Sequence, residues 1–230
     1  YIHDTPHACV VLGRPSGARN MRIVDNWCHN PARSGNFWGA FAFTGGDHLT
    51  MRRNLATTED NFMSYAYDVE PNPGWVVGCV LIQDNIGIGG GLQVGTDQGN
   101  NIHATIKYNY IDARNAAGAP AAVRINHVTD GVSISDNIIF EGKYNAGILL
   151  ESSINPIITG NSITFSGYLY NTYQNAVGIL IQNTSGAVID KNALVALEET
   201  ALYCIVEEGT TMNTEYGANT FQGCTPYGRR

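Results

Sequence analysis

The sequence predicts an all-β solenoid of about eight short coils, on the basis of three observations. A motif of one hydrophobic residue, two variable residues and an asparagine recurs along the 230-residue chain, which is rich in β-branched residues and contains 26 glycines. No stretch places apolar residues at the i, i+3, i+4, i+7 spacing of an amphipathic helix. Such a recurring period is typical of proteins in which each repeat buries its apolar face against its neighbours.

The recurring asparagines set the period of the coils. Successive asparagines are separated by 28, 31, 24, 28, 24, 31 and 27 residues. Short apolar alternations before and after them predict about three strands per coil. We expect each asparagine to adopt the left-handed conformation at a tight bend and to hydrogen-bond its amide to the same group in the neighbouring coils. The motif ends at Asn26, Asn54, Asn85, Asn109, Asn137, Asn161, Asn192 and Asn219.

The strands that precede these bends alternate apolar residues, which we expect to point inward, with residues that we expect to face solvent. The charge is therefore predicted to concentrate on the middle coils of one sheet face. Leu149 and Leu180 would form an exposed apolar strip on the same face, one that needs a cover. The first outward column is Val11, Ala42, Asp68, Gln93, Arg124, Leu149 and Leu180, and the second is Gly13, Thr44, Glu70, Gly95, Asn126, Glu151 and Gln182.

The asparagine bends and strands such as GILLE and GILIQ resemble the right-handed parallel β-helix proteins of the pectate-lyase-like superfamily, from Ala8 to Gly223. The resemblance implies a single-stranded right-handed parallel β-helix. It is specific for the fold and weak for function, since the superfamily includes polysaccharide lyases, glycoside hydrolases, epimerases, phage tailspikes and adhesive proteins. Leucine-rich repeats and propellers fit poorly, because the LxxLxL consensus is missing and a four-stranded blade needs about 40 residues.

Length and composition limit the number of domains and the classes of partner that we expect for this chain. We expect residues 1–230 to form one β-helix domain, with residues 224–230 as a C-terminal cap and a further portion preceding Tyr1. The net charge of −7, with only three lysines among 13 basic residues, argues against a nucleic-acid partner. No apolar stretch approaches the roughly 18 residues of a membrane helix, so we expect no membrane insertion.

The five cysteines are odd in number, far apart and without a CxxC pair. This pattern predicts reduced, mostly buried thiols and no disulfide framework or zinc site. Ligand-type residues do occur in IHDTPH and TGGDH, but they lack the HxH or HExxH spacing of a metal site, so we expect no metal and no cofactor.

Asp68 and Glu70 are the predicted catalytic acid and base. Their backbones lie about 6.6 Å apart on one strand face. Carboxylates at this separation suit an inverting glycosidase, in which the two groups stand about 6.5–9.5 Å apart. Aromatic rings beside carboxylates are typical of a sugar-binding wall, although the same groups would also fit an ordinary solvated surface. The predicted substrate-binding residues are Trp38, Tyr65, Trp75, Gln93, Arg124, Asn126, His127 and Glu151.

Two functional hypotheses follow, both with a polysaccharide as the partner. The first is a glycan-cleaving hydrolase similar to β-helical tailspike depolymerases, with a polysaccharide lyase using Arg124 as a variant. The second is a non-catalytic adhesive or structural spike. Stacks of this shape suggest a homotrimer, and either hypothesis implies an extracellular or virion-associated protein made in a reducing cytoplasm.

Overall fold

The computed structural model describes residues 1–14, 18–31, 39–59, 63–116, 120–129, 131–141, 146–166, 176–197 and 203–229, with the backbone alone for residues 97–100. These ranges contain β-strands and no helix. The strands are β1 Ile2–His3, β2 Val10–Leu12, β3 Arg22–Val24, β4 Trp27–His29, β5 Phe41–Phe43, β6 Leu49–Arg52, β7 Leu55–Thr57, β8 Tyr65–Val69, β9 Cys79–Gln83, β10 Ile86–Ile88, β11 Gly91–Asn100, β12 His103–Lys107, β13 Tyr110–Asp112, β14 Ala121–Val128, β15 Val132–Ser135, β16 Ile138–Glu141, β17 Ala146–Glu151, β18 Ile157–Thr159, β19 Ser162–Phe165, β20 Val177–Gln182, β21 Val188–Asp190, β22 Ala193–Ala196, β23 Tyr203–Glu208, β24 Glu215–Tyr216, β25 Thr220–Gln222 and β26 Thr225–Arg229.

The strands form three parallel sheets that the chain visits in turn. The first sheet has the order β1-β4-β7-β10-β13-β16-β19-β22-β25, and the second has the order β2-β5-β8-β11-β14-β17-β20-β23-β26. The third sheet contains the strands β3, β6, β9, β12, β15, β18, β21 and β24. Eight passes through all three sheets are complete, and a ninth ends with β25 and β26. The predicted parallel β-helix is therefore confirmed.

The recurring asparagines form a continuous hydrogen-bonded ladder between the third and the first sheet, as predicted. Asn85, Asn109, Asn137, Asn161 and Asn192 are each 1–2% exposed. Each Nδ2 donates to the Oδ1 of the next asparagine at 2.9–3.0 Å, and the backbone N–H donates to the same oxygen. Each Nδ2 also donates to a carbonyl of the preceding coil. The ladder thus pairs buried polar groups that would otherwise destabilise the bends.

The backbone at these bends corrects one expectation. At seven of the eight ladder positions, the residue before the asparagine, and not the asparagine itself, adopts the left-handed conformation; Ala218, which precedes Asn219, does not. Asp84 (φ 55°), Tyr108 (φ 56°) and Asp136 (φ 55°) are examples. The left-handed residue turns the chain, so that the asparagine that follows can point its amide into the solenoid. The other examples are Asp25, Arg53, Gly160 and Lys191.

The interior of the solenoid is a single stack of apolar side chains contributed by all three sheets. Its largest fully buried members are Tyr67, Phe41, Phe43 and Phe165. The Tyr67 hydroxyl is satisfied inside this stack, because it lies 2.7 Å from the carbonyl oxygen of Asn54 and 2.8 Å from that of Ile86.

Two disulfides contradict the prediction of reduced cysteines. Cys9 pairs with Cys28 in the first coils, and Cys204 pairs with Cys224 in the last, with Cα–Cα distances of 6.0 and 5.4 Å. Cys9 stands just before β2 and Cys28 lies on β4, whereas Cys204 lies on β23 and Cys224 stands between β25 and β26. The bonded cysteines are 19 and 20 residues apart in the sequence. The remaining cysteine, Cys79, is free and exposed instead of buried. Two disulfides are consistent with an extracellular location.

The last described strand of the stack belongs to the second sheet. Residues 225–229 form β26, which extends the second sheet by pairing with β23; the role of residues 224–230 as a cap stays a prediction. In the described ranges, no helix has the length and apolarity to cross a membrane.

Candidate functional site

The outer face of the second sheet carries a row of polar side chains that we call the polar row: Asp68, Glu70, Gln93, Arg124 and Glu151. Gln93 on β11 is in register with Asp68 on β8 and with Arg124 on β14. Glu151, at the end of β17, is in register with Asn126. Successive strands of a sheet lie about 4.8 Å apart, so the row crosses four neighbouring coils. The predicted stacking is confirmed for Asp68, Gln93 and Arg124 in one column and for Asn126 and Glu151 in the next. Gln93, which was expected to face solvent, is only 5% exposed, because the side chains of the polar row pack over it.

The carboxyl of Asp68 lies in an environment that disfavours its charged form. Its side chain is half-buried, and its Oδ1 is shielded from solvent with no hydrogen-bond partner in the described part of the chain. The pKa of the Asp68 carboxyl is raised to about 8, mainly by burial and also by the charge of Glu70, while a hydrogen bond from Gln93 opposes the rise. Gly39 packs so closely here that a Cβ on it would lie 2.9 Å from the Asp68 Cβ. Asp68 is therefore protonated at neutral pH.

Glu70 follows β8 directly and is exposed. Its backbone N–H donates to the carbonyl of Phe43 at 3.0 Å, which fixes the end of the strand against the preceding coil. The two carboxyl groups thus differ in environment, since Asp68 is shielded and Glu70 is open to water. Environments that separate two neighbouring carboxyl groups in this way are typical of acid and base pairs.

Arg124 is held in place by Glu151 and Gln93, its two neighbours in the polar row. Its Nε and Nη2 donate to Glu151 Oε2 at 3.0 and 2.8 Å, and its Nη1 lies 3.4 Å from Gln93 Oε1. Burial alone would lower the pKa of Arg124, but the Glu151 carboxylate raises it above its usual value, so the guanidinium remains charged. The phenol of Tyr65 is also close to it. Burial raises the pKa of Tyr65 to about 12, although the Arg124 charge opposes the rise.

The other predicted substrate-binding residues lie outside these contacts. Trp75 is half-buried in the connection after β8, where it packs against Gly45. Asn126, expected to face solvent, is 1% exposed, and its Oδ1 is hydrogen-bonded to His127 Nδ1. His127, which follows Asn126 within β14, has a left-handed backbone (φ 50°), so the regular alternation of inward and outward side chains does not hold here. Trp38 lies outside the described residues.

The predicted exposed strip of Leu149 and Leu180 is wrong. These side chains are only 5% and 6% exposed. They belong to a second apolar cluster on the outer side of the sheet, and its other members are Ala121, Ala146, Val177 and Val206, with Tyr203 packed against it. Facing away from the solenoid interior is therefore not the same as facing solvent, and this strip offers no surface for a trimer contact.

On the third sheet, sequence reasoning weighed Asp47 and His48 as ligand-type residues and expected no metal, and it did not connect them with Cys79. Asp47, His48 and Cys79 bring a carboxylate, an imidazole and a thiol together. A signal for this cluster exists in the ladder, because His48, Cys79 and His103 each stand six residues before a ladder asparagine. Aligning the coils on their asparagines would have stacked these three residues, whereas motif spacing within one coil could not.

Comparisons with known proteins agree with this fold and do not identify a family. No family model matches the chain, and no curated protein matches it in sequence. Among solved structures, it is similar to PfbA, a surface adhesin of Streptococcus pneumoniae, with a TM-score of 0.50 and 11% identity over 97% of this chain and 77% of that one.

The chain is also similar, more weakly, to the A-module of the mannuronan C-5 epimerase AlgE4 from Azotobacter vinelandii. The TM-score is 0.36 at 12% identity, over 98% of this chain and 84% of that one. At these identities the first likeness bears on the fold alone, and the second carries no argument.

Proposed function

We propose that this protein is a glycan-cleaving hydrolase that acts on an extracellular polysaccharide, with Asp68 as the general acid and Glu70 as the general base. One observation carries the proposal: Asp68, a shielded carboxyl whose pKa is raised to about 8, lies two residues before Glu70, an exposed carboxylate that follows the same strand. A hydrolase that works at neutral pH needs this difference, since one group must hold a proton and the other must accept one.

In this mechanism, Asp68 donates its proton to the oxygen of the scissile glycosidic bond. Glu70 accepts a proton from a water molecule, whose oxygen attacks the anomeric carbon as the bond to the leaving sugar breaks. The proton lost by Asp68 leaves on the sugar hydroxyl, and the one gained by Glu70 returns to Asp68 through solvent. Carboxyl groups separated by one residue along a strand leave room for this water.

The remainder of the polar row would orient the sugar beside the two acids. Arg124 presents a partly exposed guanidinium that can donate hydrogen bonds to sugar hydroxyl or carboxylate groups. Gln93 is only 5% exposed and contacts both Asp68 and Arg124, so it would position these two side chains. Because the Glu151 pair keeps Arg124 protonated, Arg124 is poorly suited to remove a proton from a sugar carbon. This argument favours hydrolysis over the elimination reaction of a lyase.

The second candidate is a non-catalytic adhesive module. Its specific support is the similarity in fold to a pneumococcal surface adhesin. In this alternative, the polar row binds a glycan without cleaving it. A phage tailspike would be a special case, and its homotrimer would need a contact surface other than Leu149 and Leu180.

The two candidates are separated by incubating the protein with a panel of bacterial capsular and plant polysaccharides. The measured quantities are new reducing ends and the ultraviolet absorbance of unsaturated sugar ends. Asp68→Asn and Glu70→Gln are the test variants. Asp136→Asn is the matched control. Asp136 is an exposed aspartate at the bend between β15 and β16, outside the second sheet that carries the polar row, and asparagine tolerates its left-handed backbone.

The hydrolase proposal predicts reducing ends from the wild type and from Asp136→Asn, without unsaturated ends, and a loss of at least about 100-fold in each test variant. Unsaturated ends would replace it with a lyase. If a folded wild type releases neither reducing nor unsaturated ends from any polysaccharide of the panel, and is retained on an immobilised glycan, the adhesive module is favoured.

A further inference from the structure

A second chemically distinct cluster lies on the third sheet, away from the polar row. The carboxylate of Asp47, the imidazole of His48 and the thiol of Cys79 each offer one donor atom, and these atoms all lie within 4.8 Å of one another. Asp47 Oδ2 is 2.8 Å from His48 Nδ1. Cys79 is the one cysteine of the five without a disulfide partner.

The backbone positions this cluster across two coils. Asp47 Oδ1 accepts hydrogen bonds from the backbone N–H of His48 at 2.9 Å and from that of Cys79 at 3.0 Å. Gly78 makes room for this arrangement, because a Cβ there would lie 2.2 Å from the same oxygen. The carboxylate therefore ties the turn that carries His48 to the start of β9, and its second oxygen remains beside the imidazole.

The cluster opens onto a cleft of about 510 Å³. His48 and Cys79 both line this cleft, which continues one coil further to His103, the residue in register with Cys79. The side chains of His48 and Cys79 are exposed, so they can rotate toward a common point. Water and small ligands can therefore reach the donor atoms.

We propose that Asp47, His48 and Cys79 form a binding site for Zn²⁺, with the fourth coordination position facing the cleft. Thiolate, imidazole and carboxylate are the donors that zinc prefers, at about 2.3, 2.0 and 2.0–2.2 Å. A tetrahedral ion at these distances places its donor atoms roughly 3.5 Å apart, so the side chains need to close by little more than 1 Å. Three protein ligands and one open position are typical of zinc sites that bind a water or a substrate. The site does not depend on the proposed hydrolase.

The proposal is tested on the full chain after treatment with a chelator and without reductant, which leaves the disulfides intact. Zinc is titrated in competition with a chromophoric chelator, for the wild type, Cys79→Ser and His48→Gln. His3→Gln is the matched control: His3 Nδ1 lies 3.1 Å from Asp4 Oδ2, so it forms a similar histidine–aspartate pair, but no cysteine belongs to that pair. Thermal unfolding of each variant reports whether it is folded.

The expected result is one zinc ion per chain for the wild type and His3→Gln, and an affinity at least about tenfold weaker for Cys79→Ser and His48→Gln. Absence of saturable binding, or unchanged affinity in both test variants, would overturn the proposal.

Alkylation of Cys79 gives a second readout that needs no variant, since the other cysteines are in disulfides. Zinc is expected to slow this reaction in the wild type, because a coordinated thiolate is protected. An alkylation rate that zinc does not change would also count against the site.

Discussion

Replacing Asn109 by alanine removes five side-chain hydrogen bonds from the middle of the asparagine ladder. Its Nδ2 donates to the carbonyls of Ile82 and Lys107, each at 3.0 Å, and to Asn137 Oδ1 at 2.9 Å. Its Oδ1 accepts from the backbone N–H and the Nδ2 of Asn85, each at 3.0 Å. At about 0.5–1.5 kcal/mol for each bond, with the buried N–H of Asn85 left unpaired, the free energy of unfolding should fall by roughly 3–6 kcal/mol.

The matched control is Asn26→Ala at the first position of the ladder. Asn26 is only partly buried, and its Nδ2 makes two bonds, to the Val24 carbonyl at 2.9 Å and to Asn54 Oδ1 at 3.1 Å. The expected loss is about 1–2 kcal/mol. Urea unfolding followed by circular dichroism measures both values. Equal losses in the two variants would refute the reasoning, because they would mean that burial and bond number do not determine the contribution of a ladder asparagine.

Three further predictions concern the core and the polar row. Because burial raises the folded-state pKa of Asp68 to about 8 from an ordinary 3.8, the free energy of unfolding should fall as pH rises from about 4 to about 8. Urea unfolding across this range should show a smaller fall in Asp68→Asn, and an equal fall would contradict the shift. Tyr67→Phe removes the one hydroxyl proton that the carbonyls of Asn54 and Ile86 share, and it should lower the unfolding free energy by about 0.5–1.5 kcal/mol in the same assay. Gly147→Ala places a Cβ 2.5 Å from Ile163 Cγ2, so its thermal midpoint should fall by several degrees, and an unchanged midpoint would show that the coil relaxes.

The sequence was sufficient to predict the coils and much of the polar row, because a parallel stack repeats in register. Once the strands that precede the bends were set side by side, Asp68, Gln93 and Arg124 fell into one column, and the strand pairing agrees. Alternation along a strand then separated inward from outward residues. Both arguments depend on a repeating coil, and the asparagine ladder marks one equivalent position in each coil along the stack.

Features that depend on tertiary packing, and not on the repeat of the coils, could not be predicted in this way. Leu149 and Leu180 point outward but lie in a second apolar cluster, which strand alternation alone does not reveal. Cys9 and Cys28 lie 19 residues apart, less than one coil, so they do not occupy equivalent positions in neighbouring coils and the period does not pair them. The raised pKa of Asp68 also depends on burial, which the residue type does not indicate.

A protonated Asp68 at neutral pH is the claim on which the proposed hydrolase depends. Its most direct test is a pH titration of the Asp68 carboxyl carbon by ¹³C nuclear magnetic resonance, with Asp68→Asn to assign the signal and Glu70→Gln to remove the neighbouring charge. We predict a midpoint at about 8 in the wild type and a lower midpoint in Glu70→Gln, since burial and Glu70 both raise the pKa of Asp68. A wild-type midpoint near the ordinary value of 3.8 would contradict the account, because Asp68 would then carry no proton to donate at neutral pH.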